Sequence, residues 1–359
     1  MSKAYYQLGS IVLSLILIAV IIVLVGASPV EVVSRMWSGA FGTPDQLARV
    51  ITTLAPLLLC TSGLLFTFTA GLYNLGIEGQ IVAGAIAATF AVRVFQDVLP
   101  SPLVMLLAIV IGASGGLLWG LLAGILNVYG RINEIFAGLG LNFAAQGLAL
   151  YLIFGPWKRE GVASMSGTEQ FRESLWLPTI GNTEASPVSL LLAIAVLALT
   201  IVVMRGTYFG LQLRAVGQNL RASYVLGIPS VRQLLSAFAI CGAFAGIAGA
   251  LQVLAVFHRL IPSISSNLGF LALLIAMLVG FNAWLILPVS FFFSALNIGS
   301  LQLPLSLNLE SSLAGVIQGM LVLFVLLGRG LSDRQPADAS SGTPQPQVIP
   351  PTEQLRVKS

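Results

Sequence analysis

Ala70-Gly71-Leu72-Tyr73-Asn74-Leu75-Gly76-Ile77-Glu78-Gly79-Gln80 joins two long apolar runs with almost no aqueous loop between them. Asn74, Glu78 and Gln80 lie among Gly71, Gly76 and Gly79. At membrane depth such polar groups are costly unless they are satisfied. Glycines at the same depth let the backbone unwind where it borders a cavity. The stretch therefore predicts a broken helix near 71–80, with the new helix aiming its positive N-terminus into a bundle. Glu78 in that first turn is favoured by the dipole. Two uses of these side chains stay open. In one, Asn74 caps the new helix and Glu78 ties its start to a neighbour. In the other, Asn74, Glu78 and Gln80 meet a polar solute. The two are compatible, because the break itself shapes the cavity.

Composition extends this reading to the whole chain. Of 359 residues, 57% are hydrophobic and only 8% are charged, against about 25% charged in a soluble domain. Mean hydropathy is +0.96. So few charges cannot cover a soluble enzyme, and they exclude a disordered chain and a nucleic-acid binder. Cys60 and Cys241 both lie in apolar runs, so no disulfide framework is expected. His258 is the only histidine, which argues against a His-based metal site.

Runs of spanning length fall near 10–27, 47–71, 75–97, 102–126, 133–155, 187–205, 233–256, 268–283, 284–303 and 310–328. The expected fold is all-α, a polytopic bundle of about ten transmembrane helices. The 284–303 run is the weakest, being broken by Pro288 and Asn297. The first run is long and is followed by Pro29 and charged residues, so it reads as a span rather than a signal peptide. An internal symmetry between 47–155 and 233–328, both rich in small residues, suggests an inverted repeat.

The segment 205–232 holds Arg205, Arg214, Arg221 and Arg232 and no acidic residue, which places it in the cytoplasm. With ten spans both termini are then cytoplasmic, in agreement with Lys3, Arg329 and Arg334. The 156–186 loop mixes charges of both signs and falls outside. The expected organisation is a transmembrane domain over 1–330, with a cytoplasmic loop at 206–232 and an external loop at 156–186. A Pro-, Ser- and Gln-rich tail over 331–359 is expected to be disordered.

Three further segments carry information. Gly112, Gly116, Gly120 and Gly124 line one helix face, and Gly242, Gly246 and Gly249 do the same later. Such faces let helices approach closely in lipid. They indicate tight bundle packing and name no substrate. Asn142 lies about two turns into a span, where its amide either bridges helices or hydrogen-bonds a solute. From Asn219 to Leu226 the cytoplasmic loop reads as a short helix, capped by Asn219 and stopped by Gly227. Such a helix either docks a cytoplasmic partner or is an ordinary interfacial loop. The only lysines are Lys3, Lys158 and Lys358, and none ends a glycine-rich phosphate loop. The chain therefore has no P-loop of its own, and no Ser/His/Asp or Cys/His catalytic set.

Tyr73-Asn74-Leu75-Gly76-Ile77-Glu78-Gly79-Gln80 resembles the F-N-I-G-I-E-G-Q signature of bacterial ABC-importer permeases of the nucleoside type, within the branched-chain amino acid and ribose permease superfamily. Gly217–Ile228 resembles that superfamily's G-x-N-x-x-A-A-x-x-x-G-I coupling loop, with Ser223 in place of the second alanine. Asn133-Glu134 through Asn142, followed by Gly155-Pro156-Trp157-Lys158, is similar to the longer of the two permeases in nucleoside systems. The resemblance covers roughly 45–330. The segment after Gly269-Phe270 lacks the small or polar residue of the pattern, and Ala137-Gly138-Leu139-Gly140 is smaller than usual. Both departures bear on the solute.

The resemblance implies a pore-forming subunit of an ABC importer in the bacterial inner membrane, not an enzyme. Asn74, Glu78, Gln80 and Asn142 would border the solute pathway. Arg214, Gly217, Asn219, Arg221, Ala222, Tyr224, Gly227 and Ile228 would couple it to the motor. The implied partners are cytoplasmic ATPase subunits, a second paralogous permease, an extracytoplasmic substrate-binding lipoprotein and the lipid bilayer. This chain would bind no cofactor, and ATP and Mg would be used by the partner subunits. The alternatives are a sugar or amino-acid permease of the same superfamily, and an ion-coupled secondary carrier using Glu78.

Overall fold

The computed structural model describes residues 3–159, 167–181, 183–280, 282–307 and 312–333. Among them the secondary structure is helical throughout, with no strand. Most of the expected tail, 334–359, and parts of the 156–186 loop and the 310–328 run lie outside the described residues.

Four helices form the centre: α3 (Pro44–Thr69), α4 (Ile77–Phe95), α5 (Ser101–Val128) and α10 (Ser230–Leu251). Helix α10 packs against the other three, and α4 packs on α5. The two glycine ladders explain how the backbones come so close. A Cβ on Gly116 would lie 2.2 Å from the carbonyl oxygen of Gly242, and one on Gly242 would lie 2.3 Å from that of Gly116. A Cβ on Gly249 would meet the Ile81 carbonyl at 2.1 Å. Between apolar helices in lipid, association is driven by van der Waals packing, which small residues permit. The ladders thus serve helix-to-helix contact.

The remaining helices surround this centre. Helix α6 (Glu134–Phe154) lies on α4 and α5, and α7 (Pro187–Gly206) lies on α3. Helix α1 (Lys3–Leu24) pairs with α14 (Ser312–Asp333), while α2 (Pro29–Phe41) packs on α12 (Ile286–Ser300). The short α8 (Tyr208–Gln218), α9 (Leu220–Val225), α11 (Leu268–Val279) and α13 (Gln302–Leu307) complete the chain. Outward positions such as Leu118, Phe143, Leu191 and Val202 are apolar and exposed, as expected of surfaces that meet lipid.

Seven helices are long and apolar enough to cross a membrane, and the count reaches eight if the bent pair Gly9–Leu24 and Pro29–Phe41 is one span. The two helices of that pair meet at 100°. The sequence had suggested about ten spans. The 268–283 run yields an apolar helix of only 12 residues, because Gly280 at φ +64° stops it early. Most of the 310–328 run lies within α14, a helix of 22 residues from Ser312 to Asp333.

The two long loops sit at opposite ends of α3. Near its start, Arg49 pairs with Glu184 at 3.2 Å, and the Thr52 hydroxyl donates to the Glu184 carbonyl. At its end, Gly217 approaches so closely that a Cβ there would lie 2.0 Å from the Thr69 carbonyl.

Candidate functional site

Helix α3 ends at Thr69, at the edge of the break expected near 71–80. Gly71 takes φ +79°, a left-handed conformation that only glycine adopts freely. The Leu72 amide donates back to Thr67 at 2.9 Å and the Gly71 amide to Phe68 at 3.0 Å. Residues 70–76 then cross to the start of α4. The interruption is therefore a connector between two full-length helices.

The polar residues of the connector are each taken up by the protein. Asn74 is fully buried and does not cap α4, whose N-cap is Gly76. Its amide nitrogen donates to Gln80 Oε1 at 3.1 Å, and Gln80 Nε2 returns a bond to Asn74 Oδ1 at 3.2 Å. Asn74 Nδ2 also reaches Cys241 Sγ on α10 at 3.1 Å. Asn142, on α6, accepts from the Gly79 amide at 2.7 Å and donates to the Leu75 carbonyl at 2.8 Å. One side chain thus holds both ends of the turn into α4. Gly76 and Gly79 are needed for this fit, since a Cβ on Gly79 would lie 2.9 Å from Asn142 Oδ1.

Glu78 occupies the meeting point of two helix starts. It lies in the first turn of α4, and its Oε1 accepts from the Phe270 amide in the first turn of α11 at 3.1 Å. The Ser265 hydroxyl and the Gly269 amide face the same carboxylate. A negative charge at two positive helix ends is electrostatically favoured. The turn before α11 places Ser266 and Asn267 at positive φ, which brings these donors to one point. The sequence pattern expected Glu78 to tie α4 to a neighbour, but its partner was not legible. Gly269-Phe270 was visible only as a departure from the family pattern.

The second motif presents the opposite picture. Asn219 caps α9 by accepting from the Ala222 amide at 3.0 Å. Gly227, at φ +80°, ends it, with the Ile228 amide donating to the Ser223 carbonyl at 3.0 Å. Ser223 is buried, whereas Arg221, Ala222 and Tyr224 are exposed. The apolar Val225 and Leu226 are 84% and 78% exposed. Arg214, on α8, donates from Nη2 to the Met204 carbonyl at 2.5 Å. Next to Gly71 and Gly217 lies a cavity of about 830 Å³. Arg214 and Gly217 line it, and Asn74, Glu78, Gln80 and Asn142 do not. Sequence reasoning gave no role to Tyr73 or Phe68 in its wall; the signal was an aromatic residue two positions after the helix-stopping glycine.

Among the described residues, no cluster of three or more His, Cys, Asp or Glu side chains could hold a metal ion.

Residues 46–326 match the family described as branched-chain amino acid transport system / permease component. The chain belongs to that family. It is a multi-pass membrane protein and a transport subunit, not an enzyme. It is 28% identical over 329 residues to the guanosine ABC transporter permease protein NupP of Bacillus subtilis, covering 90% of this chain and 93% of that one. The guanosine permease protein NupQ of the same organism is 26% identical, covering 81% of this chain and 92% of that one. A glucose ABC transporter permease of Haloferax volcanii is 29% identical, covering 90% of each chain.

Proposed function

We propose that this chain is the membrane-spanning permease subunit of an ABC importer, and that its solutes are nucleosides. The observation that carries the reading is α9: a capped, stopped helix that turns Tyr224, Val225 and Leu226 outward at the α3–α8 end of the bundle. Such an apolar group, with Arg221 beside it, suits a soluble partner that closes on it. In this reading 206–232 is the cytoplasmic coupling loop and two ATPase subunits dock there, using ATP and Mg. The 156–186 loop is external and receives a substrate-binding lipoprotein. Both termini are cytoplasmic, and the transmembrane domain runs over 1–330. The bent pair α1/α2, with α11 and α14 counted as crossings in the assembled complex, brings the spans to ten. The halves 47–155 and 233–328 form the inverted repeat. The pairing of two guanosine permeases among the relatives favours a second, paralogous permease as partner.

In this reading the ATPases bias a two-state bundle. Nucleotide binding draws the α9 helices together, and the bundle passes between its two states because the motor binds them differently. The close contact of Gly217 with Thr69 gives α8 a direct mechanical route to the end of α3. The glucose permease among the relatives favours a second reading, a sugar permease of the same architecture. An ion-coupled carrier using Glu78 is disfavoured, because that carboxylate is already engaged by the start of α11.

Co-expression with the ATPase and reconstitution in vesicles test the proposal. Guanosine uptake should require ATP on the α9 side and persist without a proton gradient. Uptake that ignores ATP and collapses with the gradient overturns it. Uptake of glucose in place of guanosine selects the second reading.

A further inference from the structure

The cavity beside Gly71 and Gly217 has a composition that goes beyond packing. It is walled by the end of α3, the connector, the end of α7, α8, the end of α11 and one residue of α14. Its volume, about 830 Å³, falls in the range of small-molecule sites, which are mostly apolar with a few converging polar groups. On one wall Tyr73, half exposed, stands edge-on to Phe68 with ring centroids 5.4 Å apart. The polar side chains that reach the cavity include Thr69, Arg205, Arg214 and Gln218, and no Asp or Glu among the described residues lines it.

Both arginines are oriented before any ligand arrives. Arg214 is held by the Met204 carbonyl, and Arg205 lies over the Trp284 ring, 5.8 Å from its centroid. Each guanidinium carries five N–H donors, so most remain for other acceptors. The wall therefore offers an aromatic face and an excess of donors, with no carboxylate to accept. A sugar alone brings no flat ring for the Tyr73 face and no carbonyl or ring-nitrogen acceptors for the two guanidinium groups. A cation is repelled. A flat heterocycle bearing carbonyl and ring-nitrogen acceptors is well matched: its face stacks on Tyr73 and its edge accepts from Arg.

We infer that this cavity is a nucleoside-binding vestibule at the α9 end of the pathway, with Tyr73 as its stacking platform and Arg205 and Arg214 as donors to the base edge. The inference rests on the importer reading and specifies where in the chain its solute is held.

The test uses the complete transporter in proteoliposomes, with azidoadenosine as a photolabel and guanosine as competitor. Label should enter the peptide containing 68–80, and guanosine should displace it. Tyr73→Ala should lower both labelling and guanosine uptake about fivefold or more, the size that loss of one base–aromatic stack carries. Tyr73→Trp should retain both. Size-exclusion profiles matching the wild type establish that the variants assemble. If the wild type imports guanosine and the assembled Tyr73→Ala complex is labelled and transports equally well, the vestibule is overturned while the importer reading stands. If the wild type imports glucose and no nucleoside, the nucleoside reading itself falls, and the vestibule with it.

Discussion

The segments 70–80 and 217–228 meet at Gly71 and Gly217, whose backbones are in contact, yet they treat their side chains in opposite ways. In the first, Asn74, Glu78 and Gln80 are buried and bonded within the chain. In the second, Arg221, Tyr224, Val225 and Leu226 project outward, while the Asn219 cap, the Ser223 hydroxyl and the backbone ends of α9 are bonded internally. A polar group inside the bilayer must find a partner at once, so its bonds are structural. An apolar group left on a protruding helix has its partner elsewhere. Motifs of equal prominence in the sequence thus divide into one that builds the bundle and one that addresses another molecule.

Substitutions test that contrast, and their effects on the fold differ widely in size. Gly116→Leu should have the largest, because even a Cβ would strike the Gly242 carbonyl. A cost of about 3 kcal/mol or more should abolish a monodisperse peak in detergent. Asn142→Leu comes next. It leaves the Gly79 amide and the Leu75 carbonyl without their partner, a loss of about 2–4 kcal/mol readable as a lowered Tm. Glu78→Gln keeps an oxygen acceptor for the Phe270 amide and removes the charge. It should cost roughly 1 kcal/mol and leave ATP-driven uptake in place. Complete loss of uptake in a folded Glu78→Gln protein would mean that the carboxylate acts on solute or proton and is more than an anchor.

Val225→Asp should change stability by no more than about 0.5 kcal/mol, leaving Tm nearly unmoved. It should nevertheless abolish stimulation of the partner ATPase, since the side chain contacts nothing in this chain that needs it. A Val225→Asp protein that melts early, or that couples normally, would erase the contrast.

The smallest effect is expected at the opposite end of α3. His258 stacks on Trp176 with ring centroids 4.0 Å apart. Burial pushes its pKa below the usual histidine value, and Glu184 partly opposes this. The folded loop therefore prefers the neutral ring. Stability from this site is present above the unfolded pKa, about 6.5, and is lost as pH falls below it toward the lowered folded value. Hydrogen exchange at Phe171, whose amide donates to the His258 carbonyl, should accelerate on acidification. His258→Phe should remove that dependence.

Several elements were legible before any fold was known. The α9 helix, its Asn219 cap and its Gly227 stop follow from local hydrogen bonding and a left-handed glycine. The break near 71–80 and the close-packed ladders follow from the same local rules. The early stop of α11 did not follow, because hydropathy registers the apolar run at 268–283 but not the turn at Gly280 that ends the helix at 12 residues. Asn74 was legible as a polar group needing a partner; that the partner is Gln80, six residues away across a turn, depends on how the connector crosses.

The sequence alone determined that this chain lives in a membrane, that it is helical, where most helices start and stop, and which family it resembles. These are consequences of transfer free energy and of backbone geometry, both of which act over a few residues. Only the tertiary structure decided which polar groups are anchors and which face a cavity. That depends on contacts between residues as distant as Glu78 and Phe270, and on helix ends that bring Tyr73 and Arg205 to the wall of one cavity. Such contacts are set by how whole helices stack, and no local pattern encodes them.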